Sequence, residues 1–412
     1  VVLGSIVVVG AGECGGRTAL ALREAGFDGS ITLIGDEAQA PYERPPLSKA
    51  ALTDSDAPRP TWLCAAERLT ELDITFVAGR SVTAIDRARR VVAADGAALG
   101  YDALVLATGA QPRPLPCPGG DRALLLRTFD DALRLRAELV PGRRVAIVGG
   151  GFIGLEVAAS AVTRGCGVAV VEITPRLMGR AVPAPVAEVV ADRHRAAGVA
   201  LHCGVGVERI DTVDGEHVVV LGDGRTVAAD VVVAGVGVVP NTSLAAAAEL
   251  AIDNGIRVDE QLRTSDPAIF AAGDCCSFPH PLFGGRRLRL ESWRNAHDHA
   301  AIVARNALGD GVDVSAVPWF WSDQYELGLQ IAGLPDAAAG EVVRTRDDGV
   351  TLRFGLAADG RLVSVCGVAP GASVGRDVRL GEMLIARRAR PDPAALADPA
   401  VNLKSLIPKE TA

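Results

Sequence analysis

Three glycines at 10, 12 and 15, and three more at 149, 151 and 154, repeat the spacing G-x-G-x-x-G 139 residues apart. Each position has a separate physical use. The first glycine allows a tight turn, the second lets a pyrophosphate approach the backbone, and the third lets a helix pack closely on a strand. An acid follows each triplet: Asp36 lies 26 residues after Gly10, and Glu172 ends the second segment. Either carboxylate can accept hydrogen bonds from ribose hydroxyls, and the charge of Glu172 would repel a 2'-phosphate. Arg176 and Arg180 follow closely and could bind that phosphate, so they oppose the preference for NADH over NADPH. A third acid, Asp274, ends the short run Ala272-Gly273-Asp274 and suits a hydrogen bond to a ribityl hydroxyl.

These groups need rigid carriers. Residues 5–37 and 144–172 each read as an apolar β-branched run, a glycine turn, a helix-period segment and a second apolar run, which is strand, turn, helix, strand. The helix N-terminus then faces the phosphates with its partial positive charge. Two dinucleotide modules in one chain most simply mean two dinucleotides. A flavin with a nicotinamide is the economical pair, since a flavin takes a hydride and holds two electrons.

Two strand ends, Ala107-Thr108-Gly109 and Gly235 to Asn241 with Gly237 between, read as crossings from one domain into the next. From about residue 319 short alternating runs separated by D-G and P-G turns predict a small antiparallel sheet, then a helix over 378–391 and a polar tail. The expected fold class is α/β, with two Rossmann-like dinucleotide-binding domains and a C-terminal α+β domain. The expected boundaries are 1–112 with 244–318 for a discontinuous FAD domain, 113–243 for an NAD domain and 319–412 for the C-terminal domain.

Composition narrows the class. With 412 residues, 49% hydrophobic and 22% charged, the chain has enough apolar residues for real cores and no uninterrupted apolar run of the length a bilayer span needs. The net charge of -8 argues against a polyanion partner unless a basic patch is local. Eight cysteines are spread without a C-x-x-C pair, which argues against metal-ribbon and dithiol sites, and vicinal Cys275-Cys276 reads as buried or partly exposed thiols. His297 and His299 are two apart and would not share a helix face, so no metal site is expected. No signal segment is read at residues 1–10, so the expected location is a reducing cytoplasm.

The ordered motifs PYERPPLSKAAL (41–52), ATG (107–109), GGGFIGLEVA (149–158), AAGD (271–274), ESWRNA (291–296) and FWSDQY (320–325) are more specific than either glycine triplet. Over about residues 5–390 the chain resembles the FAD-dependent NADH:ferredoxin reductases that serve Rieske oxygenases and cytochromes P450, a group sharing its architecture with apoptosis-inducing factor. The resemblance implies that Asp36 binds the FAD ribose, with Arg44 and Lys49 in the loop beside the flavin. It also implies Arg127 near the adenine, Asp274 on the ribityl chain, Trp293 and Trp321 lining the isoalloxazine, and Glu156 approaching the nicotinamide. Lysine is rare here, at 49, 404 and 409 only, so Lys49 stands out as a candidate partner of Glu156 near the flavin.

The activity implied is hydride transfer from NADH to FAD, followed by single-electron steps to an acidic iron–sulfur protein, a ferredoxin expected to carry a 2Fe–2S cluster, and indirectly to an oxygenase. Lys49 and Glu156 are the implied catalytic pair. FAD falls to Gly10, Gly12, Gly15, Asp36, Arg44, Lys49, Thr108, Gly109, Arg127, Asp274, Trp293 and Trp321. NADH falls to Gly149, Gly151, Gly154, Glu156, Glu172 and Gly237. The loop Pro41 to Lys49 lacks the cysteine that thiol-using relatives carry there, so electrons would leave directly from the flavin. Cys14, inside the first glycine turn, suits packing. Arg286, Arg287, Arg289 and Arg294 are candidates for a basic docking rim. Neither nucleic acid nor a membrane is expected as partner, and the chain would act as a monomer or homodimer. The rival readings are a redox-sensing flavoprotein like apoptosis-inducing factor and an NADH oxidase.

Overall fold

In the computed structural model, which describes residues 3–179, 181–371 and 373–408, the chain forms two compact units. Arg180 and Lys409 lie outside the described residues.

The first unit comprises residues 1–44, 60–111 and 239–318. Its centre is a five-stranded parallel sheet in the spatial order Ile269–Ala271, Ala103–Leu106, Ser5–Val9, Ser30–Ile34 and Ile74–Val77. The first two segments in sequence give strand, helix Glu13–Glu24, strand, as their periodicity predicts. Strands buried on both faces read as continuous apolar runs, and Ile6, Val8, Leu104, Val105 and Leu106 are all fully buried. Helix Trp293–Ala307 packs beside helix Glu13–Glu24. A three-stranded antiparallel sheet, Val82–Asp86, Val91–Ala94 and Ala97–Gly100, is inserted between parallel strands.

The second unit comprises residues 45–59, 112–238 and 319–412. A four-stranded parallel sheet runs Ala200–Cys203, Gly167–Glu172, Arg144–Val148, Val231–Ala234, with helix Phe152–Thr163 connecting the middle pair. Another antiparallel insertion, Val207–Val213, Glu216–Leu221 and Thr226–Ala229, shares its apolar core. The last part is a five-stranded antiparallel sheet ordered Trp319–Gln324, Leu327–Gly333, Leu362–Pro370, Thr351–Leu356, Gly340–Thr345, backed by helix Gly375–Ala386. Mixed α/β architecture with parallel Rossmann-type sheets and a C-terminal antiparallel sheet is therefore as expected.

The C-terminal segment differs from the predicted polar tail. Residues 393–397 are helical, and Arg344, buried in the sheet, donates hydrogen bonds to the carbonyls of Leu396, Pro399 and Val401. A buried guanidinium carries five donors that need acceptors, and the returning chain supplies three carbonyls. Among the described residues no helix is long and apolar enough to cross a membrane.

Candidate functional site

The two glycine turns divide their labour in the same way. A Cβ on Gly10 would overlap the Ala107 carbonyl, and one on Gly15 would overlap the Gly10 carbonyl. In the second turn, Gly149 faces the Gly235 carbonyl and Gly154 the Gly149 carbonyl with the same overlap. Gly10 and Gly149 also have φ of +104° and +109°, which L side chains rarely adopt. The middle glycines are different: Gly151 has nothing within 4 Å of a built Cβ, and Gly12 meets only the Arg44 guanidinium at 3.7 Å. First and third positions are thus filled by backbone, while the middle one opens outward at the start of a 12-residue helix. That is a cradle for a pyrophosphate, and the residues fit a dinucleotide in each unit.

In the first unit, Arg44 lies over the open Gly12 and is anchored by Glu37 at 2.7 Å and by the Tyr42 ring at 5.3 Å. Asp36 is exposed at the end of its strand. Thr108 and Asn241 interlock the two crossings: Thr108 Oγ1 donates to the Asn241 carbonyl and Asn241 Nδ2 to the Thr108 carbonyl, both at 2.8 Å. Gly109, with φ of +65°, accepts the Asn241 N–H. Asp274 sits half-buried in the short turn Gly273–Cys275, and a Cβ on Gly273 would come 3.1 Å from Cys14 Cβ. This close approach brings the Asp274 turn against the first turn of helix Glu13–Glu24. Trp293 stacks on His297 at 5.2 Å and carries the Arg17 guanidinium 5.5 Å from its ring centre.

Sequence reasoning missed Glu13, an acid inside the first glycine turn. Burial raises its pKa, and Arg17 pairs with it. Three of the four arginines proposed as a docking rim have internal partners: Arg287 donates to the Val258 and Ser277 carbonyls, Arg289 pairs with Glu291, and Arg294 pairs with Asp298.

A dense polar cluster lies in the second unit. Glu156, on the first turns of helix Phe152–Thr163, is 3% exposed, and three donors converge on its carboxylate. Lys49 Nζ is 2.7 Å from Oε2, Ser48 Oγ donates to Oε2 at 2.5 Å, and Ser322 Oγ donates to Oε1 at 2.6 Å. Ser160, one turn along the same helix, donates to the Ser48 carbonyl at 2.7 Å and fixes the loop that carries both Ser48 and Lys49. The ion pair anticipated between Lys49 and Glu156 is present. The three serines were missed, although Ser48 lies within PYERPPLSKAAL and Ser322 within FWSDQY. Their signal is weak because a serine hydroxyl is ordinary until folding shows what it faces.

Glu172 uses both oxygens. Oε2 accepts the Gly150 N–H, and Oε1 accepts the N–H and hydroxyl of Thr174, all at 2.7 Å. It holds the glycine turn to the following loop, where Arg176 donates to the Gly179 carbonyl. Oε1 is thereby filled, and Oε2 keeps a second lone pair for a ribose hydroxyl. Gly237 has φ of +99°, and its carbonyl accepts the Arg113 N–H. Arg127 is half-buried just before the capping box made by Thr128 and Asp131, which also holds its N–H. Trp321 stacks on Trp319 at 5.2 Å, and its Nε1 donates to Asp323.

All eight cysteines are free. Cys275 and Cys276 are fully buried; the Cys275 thiol donates to the Leu106 and Ala272 carbonyls and the Cys276 thiol to the Gly273 carbonyl. Burial raises both pKa values, which suppresses the thiolates that exchange chemistry needs.

The family model described as pyridine nucleotide-disulphide oxidoreductase matches residues 4–300, and the reductase C-terminal model matches 319–407. The chain belongs to the pyridine nucleotide-disulphide oxidoreductase family. Like other members of this family it is an oxidoreductase. It is 44% identical over 407 residues to the ferredoxin–NAD(+) reductase component of the anthranilate 1,2-dioxygenase system of Burkholderia cepacia, covering 97% of this chain and 98% of that protein. It is 40% identical to putidaredoxin reductase of Pseudomonas putida over 82% of each chain. Among solved structures, the covalent putidaredoxin reductase–putidaredoxin complex is similar with a TM-score of 0.92 and 36% identity, over 98% of both chains.

Proposed function

We propose that this oxidoreductase takes electrons from NADH through FAD and delivers them singly to a ferredoxin, a small iron–sulfur protein that feeds an oxygenase. The observation that carries this reading is the pair of pyrophosphate cradles together with the ion pair between Lys49 and the buried Glu156. FAD, when bound, supplies the chemistry that turns a two-electron hydride into two one-electron deliveries.

The chain's own residues would divide the work. Gly10, Gly12, Gly15 and Arg44 would hold the FAD pyrophosphate, with Asp36 on the ribose and Asp274 on the ribityl chain. Thr108 and Gly109 would shape the crossing beside it, Arg127 would lie near the adenine, and Trp293 and Trp321 would line the ring system. Gly149, Gly151, Gly154 and Gly237 would form the NADH cleft, with Glu172 accepting ribose hydroxyls. Glu156 would orient the Lys49 ammonium, and Lys49 would hold positive charge where electron density arrives. The corresponding division is residues 1–112 with 244–318 for FAD, 113–243 for NADH and 319–412 for the C-terminal domain.

The buried, separately bonded Cys275 and Cys276 favour direct delivery to an external acceptor over passage through a dithiol. A ferredoxin with a 2Fe–2S cluster is the acceptor to try first. In the decisive assay, FAD-loaded enzyme, NADH and a set of purified ferredoxins are coupled to cytochrome c reduction. Steady cytochrome c reduction that depends on one ferredoxin is expected. Rapid oxygen consumption without any ferredoxin, and no gain on adding one, would replace this reading with an oxidase.

A further inference from the structure

Beyond its three direct donors, Glu156 ends a longer polar chain within the second unit. Ser322 and Gln324 are two apart on strand Trp319–Gln324, so their side chains share a face. Gln324 Nε2 donates to Ser322 Oγ at 3.0 Å, and Gln324 Oε1 is 2.9 Å from His194 Nε2. His194, on helix Ala184–Ala196, has no exposed surface, and its Nδ1 is 3.3 Å from the Tyr325 hydroxyl.

The chemistry of these groups fixes the direction of every bond. Paired with the Lys49 ammonium, the Glu156 carboxylate only accepts, so Ser322 must give it its single proton. Ser322 can then only accept from Gln324, which must turn its NH2 to Ser322 and its oxygen to His194. His194 must therefore carry its proton on Nε2 and accept on Nδ1 from Tyr325. The surroundings favour this state. Burial lowers the His194 pKa and pushes the Tyr325 hydroxyl up to about 12, so the ring is neutral and the phenol keeps its proton. With the proton on Nδ1 instead, Gln324 would turn its amide over, and Ser322 would face an amide oxygen that competes with Glu156 for its proton.

A second observation concerns the hairpin turn that carries Tyr325. This residue has φ of +55°, a strained value for an aromatic residue, and the turn is held by three contacts, two of them to its ring. Its ring meets His194 edge-on at 5.0 Å, Arg193 lies 4.0 Å over the ring, and Arg193 pairs with the neighbouring Glu326 at 2.7 Å.

We propose that His194 is a positioning residue: through its Nε2–H tautomer and the Gln324 amide it aims the Ser322 hydroxyl at Glu156, and so sets the carboxylate that orients Lys49. This rests on the reading of Lys49 and Glu156 given above.

The test uses FAD-loaded enzyme labelled with 15N-histidine. Besides His280 and His299, whose Nδ1 atoms accept the Leu282 and Gly273 N–H, one further histidine of the six should be neutral at pH 7 with its proton on Nε2. That signal should be absent in His194→Leu and become a tautomer mixture in Tyr325→Phe. Single-turnover reduction by NADH should slow roughly five- to tenfold in His194→Leu and Gln324→Leu, the loss expected when one buried hydrogen bond is removed. His194→Gln, which keeps a donor at the Nε2 position, should come back to within about twofold of the parent rate. Tyr325→Phe keeps the packing and serves if His194→Leu fails to fold. An Nδ1–H tautomer in the parent, or a His194→Gln as slow as His194→Leu, would overturn the proposal. If Lys49→Ala and Glu156→Gln slow reduction while His194→Leu and Gln324→Leu do not, this inference alone fails. If Lys49→Ala and Glu156→Gln leave the rate unchanged, the reading it rests on fails as well.

Discussion

The Lys49–Glu156 pair can be weighed by a double-mutant cycle. Lys49→Met removes the ammonium but keeps the aliphatic stem, and Glu156→Gln removes the charge with little change of shape. At 2.7 Å the Coulomb attraction is about 6 kcal/mol for an effective dielectric constant of 20, and about 1.5 kcal/mol in bulk water. The structure places the pair between these limits, because the Glu156 side chain is 2% exposed and that of Lys49 25%. Desolvation of both ions offsets part of the attraction, and the hydroxyls of Ser48 and Ser322 continue to solvate the carboxylate when the ammonium is gone. The expected coupling energy is therefore about 2 kcal/mol, well above the range for exposed pairs. It would be measured by urea unfolding of the parent, both single variants and the double variant, followed by near-ultraviolet circular dichroism. The same four proteins would be compared in single-turnover reduction by NADH, where Lys49→Met should slow the step roughly tenfold or more if the ammonium acts at the reacting centre. A coupling below about 0.5 kcal/mol would refute the claim that burial strengthens this pair. A rate within twofold of the parent would refute its place in hydride transfer.

Other expectations follow from the same geometry. Gly154→Ala should cost about 3 kcal/mol or prevent folding, since the new Cβ meets the Gly149 carbonyl and not a flexible side chain. Gly151→Ala has open space and extended backbone, so stability should change by no more than about 1 kcal/mol while the NADH dissociation constant rises; equal loss of both in thermal melts and binding titrations would refute the cradle. Glu172→Arg should raise KM for NADH and improve use of NADPH, besides loosening the turn that Gly150 and Thr174 share; an unchanged preference would remove the argument from repulsion. Asp230, held by Arg144, has its pKa lowered to about 2. Its contribution is present above the unfolded value near 4 and is lost as pH falls toward 2, so Asp230→Asn should flatten that part of the acid unfolding curve; an identical curve would show that the pair does nothing for stability.

What was legible in advance followed from local physics. A β-branched run ending in a glycine turn and a helix-period segment can fold in few ways, so both parallel-sheet modules stand where their patterns put them. The antiparallel insertions at 82–100 and 207–229 carry weaker patterns, since short strands with one exposed face resemble loops. The closing segment looked like a polar tail because its anchor, Arg344, lies about fifty residues upstream. The arginines at 286–294 read as a charged rim because composition does not say which carbonyl or acid each one meets.

The sequence by itself determined the fold class and the two glycine turns, because glycine spacing and side-chain periodicity are properties of the chain, while the Lys49–Glu156 pair was implied by the family resemblance and supported by the rarity of lysine. Only the tertiary structure decided what surrounds Glu156. Ser48 and Ser322 reach one carboxylate from positions 108 and 166 residues away, and His194 joins them through Gln324. Hydrogen-bond direction depends on which donor faces which acceptor, and that is set when distant segments pack, not by their order along the chain.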